Sequence, residues 1–543
     1  MTNYKDDPRW PVQRAVIDEI EEYFKNGEKY VVVRGPTGFG KSLTGLMLAK
    51  EVGPTYITST QVVLVDQYQK MLYDGFVGLG KAIKGLSNYK CKMGALNAAE
   101  GPCHLPGYKC PVRNECDYYI ARDEAINSNT AVMTFHYFMY PVRYALTKGK
   151  NFEFSEENNH KKYNWPARKL LIIDEAHDLP EVLRDFFSLS VREKTFGREI
   201  FNVLKRKQLD SSENLLITLK QELIHLKPAV EDVLDDMTKR ASSLTPTDVL
   251  VKYQGHTYSV SEFLEMTNQQ SSLLRRIEHY LDSISRNSDW VFSREQEAFV
   301  WKPYESGVYM QQLFEKFEHV VFMSATFINH KLFMDRLGIQ KYKFIDIPSR
   351  FDPNNGKVYL YYDNWLRKNS SDAVKGRIVA RIESIAKTYS RYKGIIHCHT
   401  YEWQKYIYDM ASPELRHRLV VHDSGNRSQV LREFYVEKNP KILLSVNMDK
   451  GLDLKDDMAR WQVIVKAPFP YLGDAWVQLH REKMPEWYDD NTLVSIVQAC
   501  GRIVRTDTDW GHTYILDGNA SNLLDSNIEK LPTWFVKRIQ HLK

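Results

Sequence analysis

The sequence predicts an α/β protein with two domains, each a parallel β-sheet flanked by helices, and two insertions within the first domain. Three observations lead to this expectation. Near the amino terminus a β-branched run enters a glycine-rich loop and then a helical pattern. Strands and helices alternate again beyond Ile345, and a cysteine cluster and a stretch of amphipathic helices interrupt the first alternation. A chain of 543 residues has room for about three or four domains.

Composition and charge limit the classes of protein that fit this sequence. Hydrophobic residues make up 43% and charged residues 26%, as in ordinary globular proteins. No apolar run is long enough to cross a bilayer and the first residues lack a signal-peptide pattern, so we expect a cytoplasmic protein with no membrane partner. The net charge of +5 neither requires nor excludes a nucleic-acid partner.

The glycine-rich loop has the residues of a phosphate-binding loop. It follows the predicted strand Lys29–Arg34 and leads into the helical sequence LTGLMLAKEV. Backbone N–H groups of such a loop surround nucleotide phosphates, so we expect it to bind ATP. Lys41 is expected to reach the terminal phosphates, and Ser42 to bind Mg²⁺. The loop consists of Gly35, Pro36, Thr37, Gly38, Phe39, Gly40, Lys41 and Ser42.

An acidic pair follows a second predicted strand, Lys169–Ile173. Two carboxylates at the carboxyl end of a buried strand suit Mg²⁺ and a water molecule. Asp174 is expected to hold the metal, and Glu175 to orient or deprotonate the water that attacks the γ-phosphate. Alone, such a pair is equally typical of a helix N-cap. Together with the upstream phosphate loop, it indicates hydrolysis of the nucleotide.

The second α/β domain contains, near its end, the sequence QACGRIVR, which begins at Gln498. If this segment is helical, Arg502 and Arg505 lie about one turn apart on one face. Both can then point across a cleft toward a γ-phosphate bound by the first domain, as an arginine finger does. The alternative is a solvated basic helix face.

These motifs, in this order, resemble those of superfamily 2 helicases, whose second motif reads DEAH in one large group, as residues 174–177 do here. The run Ser324-Ala325-Thr326 looks like the motif that links hydrolysis to domain movement. The resemblance implies two RecA-like motor domains. It also implies nucleotide contacts by Arg9, Gln13 and Asp453, and contacts to a nucleic-acid strand by Thr58, Ser59, Thr60, His399 and Thr400. A satisfied polar cap is an equally simple explanation for the last two residues.

Four cysteines cluster in one window of the first domain. In a cytosolic chain such a cluster indicates a metal site rather than disulfides. Four thiolates suit either zinc or an iron–sulfur cluster, and the lack of a close CxxC pair disfavours a zinc ribbon. His104 is interpreted as a loop residue, and the isolated Cys398 and Cys500 are expected to pack in the core. The clustered cysteines are Cys91, Cys103, Cys110 and Cys116.

The position of this cluster, between the phosphate loop and DEAH, resembles the XPD and DinG group of superfamily 2. Members of that group carry a [4Fe–4S] cluster and move 5′ to 3′ on single-stranded DNA. The segments FHYFM, with His136 as a further strand contact, and IPSRFDP, with Phe351, strengthen the resemblance. Amphipathic helices after Glu181 occupy the place of that group's arch domain, although a structural or partner-binding decoration is the alternative.

The resemblance divides the chain into four parts. We expect the first motor domain in residues 1–85, 120–180 and 300–335, the cluster insertion in 86–119, the helical insertion in 181–299 and the second motor domain in 336–543. The implied function is an ATP-dependent DNA helicase, a monomer that acts on single-stranded and on forked or tailed duplex DNA. Such a protein serves DNA repair or replication in a bacterial cytoplasm or nucleoid, or is encoded by a phage. The alternatives are a translocase that displaces proteins or R-loops and a nucleotide-gated DNA-binding clamp.

Overall fold

The computed structural model describes residues 10–93, 97–101, 103, 110–139, 165–207, 212–244, 248–286, 289–295, 297–367, 370–446, 456–504, 506 and 508–542. Within these residues there are two seven-stranded parallel sheets, and an insertion in the first domain contains a three-stranded antiparallel sheet and a two-stranded hairpin. The arrangement confirms the predicted fold class, two RecA-like domains of parallel strands flanked by helices.

The first parallel sheet contains strands from both ends of the predicted first domain. They are β1 (Tyr30–Arg34), β2 (Thr55–Ser59), β3 (Gly80–Ile83), β4 (Thr130–Thr134), β5 (Leu170–Asp174), β11 (His319–Ser324) and β12 (Lys343–Asp346). Their order is β12-β1-β11-β5-β2-β4-β3, and every neighbouring pair is parallel. The strands are apolar because both faces are covered: Val31 and Val33 pack into one apolar cluster, and Val32 between them packs into the other.

Helices whose bounds the structure describes cover both faces of this sheet. They are α1 (Pro11–Lys25), α2 (Lys41–Val52), α3 (Val62–Asp74), α4 (Asp117–Asn127), α5 (Leu179–Phe187), α10 (Val308–Glu315) and α11 (His330–Arg336). After α11 the chain returns to pair β12 with β1. The first sheet therefore extends to Asp346, past the expected domain boundary at residue 335, because one more strand is needed to cover the outer edge of β1.

Between α5 and α10 the chain leaves the first sheet and forms the insertion. Its elements are β6 (Leu189–Val191), α6 (Glu193–Phe196), α7 (Arg198–Arg206), α8 (Ser212–Ser242), β7 (Leu250–Tyr253), β8 (His256–Ser259), α9 (Val260–Arg286), β9 (Trp290–Glu295) and β10 (Ala298–Pro303). The long helices α8 and α9 match the predicted amphipathic segments. The antiparallel sheet β6-β10-β9 was not expected, and its buried Trp301 packs in the same apolar cluster as Leu219 and Ile277 of the two helices.

The second parallel sheet has the order β15-β16-β14-β17-β18-β13-β19. Its strands are β13 (Val358–Tyr361), β14 (Gly394–His397), β15 (Leu419–Val420), β16 (Ile442–Ser445), β17 (Trp461–Ile464), β18 (His512–Ile515) and β19 (Ile539–Leu542). The surrounding helices are α12 (Asp372–Thr388), α13 (Tyr401–Met410), α14 (Pro413–Arg418), α15 (Arg427–Val436), α16 (Ala475–Lys483), α17 (Pro485–Cys500), α18 (Gly518–Ser526) and α19 (Thr533–Val536).

Candidate functional site

The phosphate loop connects β1 to α2 at the carboxyl edge of the first sheet. Gly38 and Gly40 have φ angles of 80° and 94°, in the left-handed region that glycine adopts without steric cost. Outside the loop, the buried Gln13 side-chain amide donates to the carbonyl of Phe39. Gln13, expected near the nucleotide, therefore stabilises the loop through the carbonyl of Phe39. Arg9, its expected companion, lies outside the described residues.

The acidic pair lies opposite this loop, because β5 and β1 are parallel strands separated only by β11. Ser42 Oγ donates to Asp174 Oδ2 at 3.2 Å, and Tyr68 Oη donates to the same oxygen at 2.9 Å. Asp174 is 1% exposed, and burial together with Glu175 raises its pKa while Lys41 opposes the rise. The two residues expected to bind Mg²⁺ are thus adjacent. Tyr68 was missed, because nothing in the sequence places α3 beside β5.

Glu175 occupies a left-handed backbone position, with φ of 52°, directly after β5. Its Oε1 lies 3.6 Å from Lys41 Nζ, and its Oε2 lies 3.4 Å from His177 Nδ1. Burial alone would raise the pKa of Glu175, but Lys41, His177 and Arg502 together lower it below the ordinary value. The carboxylate is therefore held ionised beside the residue expected to contact the terminal phosphates.

His177 connects the acidic pair to the second domain. Its Nδ1 lies 2.8 Å from Ser324 Oγ, and the side-chain amide nitrogen of Gln498 donates to its Nε2. An accepting Nε2 leaves the ring proton on Nδ1, which then donates to Ser324. Gln498 also donates to Thr326 Oγ1 at 3.4 Å. The DEAH, Ser-Ala-Thr and Gln498 motifs thus form one hydrogen-bonded chain across the domain boundary.

The segment after α17 also meets the phosphate loop. A Cβ added to Gly501 would lie 2.8 Å from Thr37 Oγ1, so the two domains are in close contact here. Helix α17 ends at Cys500, and Arg502 lies in the turn that follows. Arg502 therefore lies beyond the helix, contrary to the expectation that it is on a helical face, because Gly501 ends the helix. Arg502 still acts on the charge of Glu175. Arg505 lies outside the described residues, as does Asp453.

Two of the three hydroxyl residues expected to contact a nucleic-acid strand are buried in the sheet. Thr58 and Ser59 have no exposed surface, and Thr58 Oγ1 donates to the Ile172 carbonyl at 3.3 Å. Ser59 Oγ accepts from the Gln61 backbone amide at 3.2 Å. Their hydroxyls therefore bond within the protein at the end of β2, and contact of these residues with a nucleic-acid strand stays a prediction. Thr60, the third, is partly exposed at the sheet edge.

The other residues expected to contact a nucleic-acid strand are of two kinds: two have exposed surface, and one has a hydroxyl that bonds within the protein. His136 is exposed, with its ring 5.8 Å from that of Phe186. His399 has a left-handed φ of 64° and is partly exposed at the carboxyl end of β14. Thr400 is the N-cap of α13, where its hydroxyl accepts from the Trp403 amide at 3.3 Å. For Thr400 the simpler alternative, a satisfied polar cap, is the observed one.

The four clustered cysteines lie close to one another. A Cβ on Gly101 would be 3.0 Å from Cys91 Sγ and 3.7 Å from Cys103 Sγ. Burial raises the pKa of the Cys110 thiol, and its neighbours Cys116 and Cys91 raise it further. In the part of the chain that the structure describes, no three His, Cys, Asp or Glu side chains form a site for a single metal ion.

The insertion contacts this cysteine segment. Asn268 Nδ2, on helix α9, donates to the Gly101 carbonyl at 3.2 Å and to the Glu100 carbonyl at 3.3 Å. The other two cysteines behave as expected: Cys398 and Cys500 are buried among apolar side chains, and burial raises the pKa of the Cys500 thiol to about 12. His104 lies outside the described residues.

Two protein families match different parts of this chain. Residues 8–210 match the family of type III restriction enzyme res subunits, and residues 383–538 match the helicase C-terminal domain family. The first match contains the phosphate loop and the acidic pair. The second contains Gln498 and Arg502.

Curated relatives cover this chain to different extents. The ATP-dependent DNA helicase YoaA of Escherichia coli is 22% identical over 94% of this chain and 91% of its own length. The probable ATP-dependent helicase YpvA of Bacillus subtilis is 21% identical over 78% of this chain and 68% of its own length. A Fanconi anemia group J protein homolog of Gallus gallus is 29% identical, but the match spans only 20% of this chain and 10% of that protein.

Solved structures share the whole fold. One titled XPD helicase has a TM-score of 0.62 at 17% identity, with 98% of this chain and 99% of that chain covered. The S. tokodaii protein Xpd4 has a TM-score of 0.58 at 15% identity, with 98% and 100% covered. Among the described residues, no helix is both long and apolar enough to span a membrane.

Two RecA-like domains that meet at a phosphate loop, an Asp-Glu pair and a glutamine from the opposite domain define the nucleotide-hydrolysing motor of a helicase. Along nearly its whole length, the chain is similar to helicases of the XPD/DinG type.

Proposed function

We propose that the protein is an ATP-dependent DNA helicase that advances along single-stranded DNA by closing and opening the cleft between its motor domains. The hydrogen bond between His177 and Gln498 carries this proposal, because it connects the hydrolytic acid pair to the opposite domain. The relative named as an ATP-dependent DNA helicase, YoaA, supports DNA as the nucleic acid.

Each residue of the cleft has a role that suits ATP hydrolysis. The phosphate-loop amides and Lys41 hold the phosphates, while Ser42 and Asp174 hold Mg²⁺. Glu175, kept ionised by Lys41, orients or deprotonates the attacking water. Arg502 faces the same charges from the second domain, so a γ-phosphate draws the domains together and its loss lets them part.

The finer features of the activity rest on resemblance to the XPD/DinG group. We propose 5′-to-3′ movement of a monomer, with unwinding of tailed or forked duplexes. Contacts to the nucleic-acid strand are assigned to the exposed His136 and to the partly exposed Thr60 and His399. Such contacts are mainly to phosphates and to stacked bases, so we expect binding that weakens with salt and tolerates any sequence.

The cysteine segment fits a [4Fe–4S] cluster. Four thiols that lie near one another match the four thiolate ligands that such a cluster takes. When bound, the cluster supplies four iron–thiolate bonds that fix the fold of the segment. Cys91, Cys103, Cys110 and Cys116 would hold the cluster. Asn268 keeps this segment against the insertion.

The test is strand displacement from three duplexes: blunt, with a 5′ tail and with a 3′ tail. We expect ATP-dependent displacement from the 5′-tailed duplex, none with Lys41→Ala, and normal activity with Lys70→Ala, an exposed lysine of α3. Displacement of a bound protein without duplex unwinding would favour the translocase alternative. DNA binding that responds to ATP without turnover would favour the clamp.

A further inference from the structure

Arg34 ends β1, immediately before the phosphate loop, and its side chain is buried where the two motor domains meet. Its Nε and Nη2 donate to the two carboxylate oxygens of Asp346 at 2.9 and 2.6 Å. Its Nη1 donates to the carbonyls of Phe327 at 2.9 Å and of Lys530 at 3.1 Å. Asp346 and Phe327 belong to the first domain and Lys530 to the second. One guanidinium therefore joins both domains.

The backbone of Arg34 is fixed on both sides. Its carbonyl accepts from the Ile347 amide at 2.9 Å, and the next amide, that of Gly35, donates to the Ser324 carbonyl at 3.0 Å. Gly35 is the first residue of the phosphate loop, and Ser324 bonds to His177. A displacement of the guanidinium would therefore move the start of the phosphate loop and the strand that carries Ser324, because these backbone hydrogen bonds connect them.

A second pair of contacts spans the same boundary beside Arg34. Asn329 Nδ2 of the first domain donates to Glu486 Oε2 of the second at 3.0 Å. Lys530 Nζ lies 3.7 Å from Glu486 Oε2 and 3.7 Å from Asp490 Oδ1. Lys530 is therefore held by its side chain within the second domain while its carbonyl accepts from Arg34. The Lys530 carbonyl that accepts from Arg34 is therefore fixed relative to the second domain.

The chemistry at this position requires arginine. A planar guanidinium presents donors in several directions at once, whereas a lysine ammonium is a point charge that cannot match a bidentate carboxylate and two carbonyls together. Hydrogen bonds from a charged donor are also stronger than neutral ones. The Nη1 bond to Lys530 exists only while the domains are closed, since all other Arg34 partners named above move with the first domain.

We propose that Arg34 is a positioning residue that couples closure of the motor domains to the phosphate loop. The proposal rests on the proposed function, because it requires the domains to close and open during each round of ATP hydrolysis. Arg34 adds a bond to the closed state alone, so its loss shifts the population toward the open state. Hydrolysis, which needs the closed state, slows, while nucleotide binding by the first domain is retained.

The test compares full-length Arg34→Met and Arg34→Lys with the wild type. The kcat of ATP hydrolysis at saturating single-stranded DNA should fall about tenfold in Arg34→Met, which corresponds to about 1.4 kcal/mol. The Kd for ADP should stay within about twofold, because ADP binding uses the first domain alone. Arg34→Lys should also lose kcat, since lysine cannot bridge the same partners.

Arg418→Met is the matched control. Arg418 donates to four backbone carbonyls inside the second domain and none in the first, so its loss should lower stability without lowering kcat. An unchanged kcat in Arg34→Met, or equal losses of kcat and ADP affinity, would overturn the proposal. If Arg34→Met does not fold, the kcat of ATP hydrolysis and the Kd for ADP measured on Arg34→Lys test the proposal instead. Absence of DNA-stimulated hydrolysis in the wild type would instead overturn the proposed function.

Discussion

Glu175 lies between a lysine and a histidine, and its charge depends on both. Burial by itself would raise the pKa of Glu175, but Lys41 and then His177 lower it below its ordinary value of 4.5. The carboxylate therefore stays ionised throughout the neutral range. Its attraction to Lys41 contributes fully above about pH 4.5 and is lost only as the pH falls toward the lower pKa of the folded protein.

Glu175→Gln should lower the kcat of ATP hydrolysis at least about 100-fold, because the amide cannot take a proton from water. The measurement is phosphate release under steady-state conditions, together with ATP binding, which should persist. Glu193→Gln, at an exposed carboxylate of the insertion that pairs with Arg198, is the control. Normal turnover in Glu175→Gln would contradict the assignment of this residue.

Asp490 is a buried acid at the boundary between the domains, and its protonation affects stability. Burial raises its pKa to about 6, although Lys530 and Asn329 oppose the rise. The folded protein therefore holds this proton more tightly than the unfolded chain. The contribution of Asp490 to the free energy of unfolding is largest below about pH 4, decreases as the pH rises, and reaches its minimum above about pH 6.

Asp490→Asn should therefore raise the free energy of unfolding at pH 7.5 by about 1–3 kcal/mol and change it little near pH 4. Urea unfolding across this pH range measures the difference. Asp74→Asn, at an exposed carboxylate at the end of α3, should leave the pH profile unchanged. Equal free energies of unfolding of Asp490→Asn and the wild type at both pH values would show that ionisation of this buried carboxylate does not destabilise the protein.

Residues that belong to contiguous motifs were predictable from the sequence, while residues brought in by packing were not. Lys41 and Ser42 begin the helix that follows the loop after β1, while Asp174 ends β5 and Glu175 follows it. The parallel order of these strands therefore places all four residues at one edge of the sheet. Tyr68 reaches Asp174 from the middle of a helix, and no spacing predicts that contact. The internal hydrogen bonds of Thr58 and Ser59 were not predicted, because a hydroxyl at the end of a β-strand can bond within the sheet as readily as to a ligand.

The cysteine segment depends on a glycine that lies against two sulfurs. Gly101→Ala would place a Cβ 3.0 Å from Cys91 Sγ and 3.3 Å from the Ala98 carbonyl, closer than ordinary contact. We expect this variant to retain less iron and a weaker visible absorption band than the wild type. Gly85→Ala, in the same region but with its nearest atom 3.7 Å away, is the control. Equal iron content in both variants would contradict the proposed cluster geometry.

Some elements of the insertion and of the second domain were predictable from the sequence and others were not, for physical reasons. The long helices α8 and α9 have an amphipathic period that the sequence displays. The sheet β6-β10-β9 joins strands about 100 residues apart, and short apolar runs do not reveal such pairing. The end of α17 had a signal, because Gly501 follows its last apolar residues and glycine commonly ends helices.

At the scale of the whole molecule, Gly501 allows the second domain to approach the phosphate loop. Its φ of −75° suits any residue, so contact with Thr37 is the constraint on a side chain here. Gly501→Val should keep the domains apart and lower kcat about tenfold or more, with ADP binding retained. Gly376→Val, on a helix where a Cβ meets nothing within 4 Å, is the control. An unchanged kcat in Gly501→Val would show that this closed arrangement is not used in hydrolysis.

The arrangement of the two motor domains was predictable, because motif order and alternating strands and helices specify it. The side-chain contacts between the domains were not, since Arg34, Lys530, His177 and Gln498 are far apart in the sequence. Those contacts are the basis for a motor in which hydrolysis and domain movement are linked.

The most direct test of that account is the rate of ATP hydrolysis by the wild-type protein, measured with and without single-stranded DNA. The account predicts hydrolysis that DNA accelerates several-fold and that Lys41→Ala abolishes. Hydrolysis at the same rate with and without DNA, or no hydrolysis at all, would contradict it.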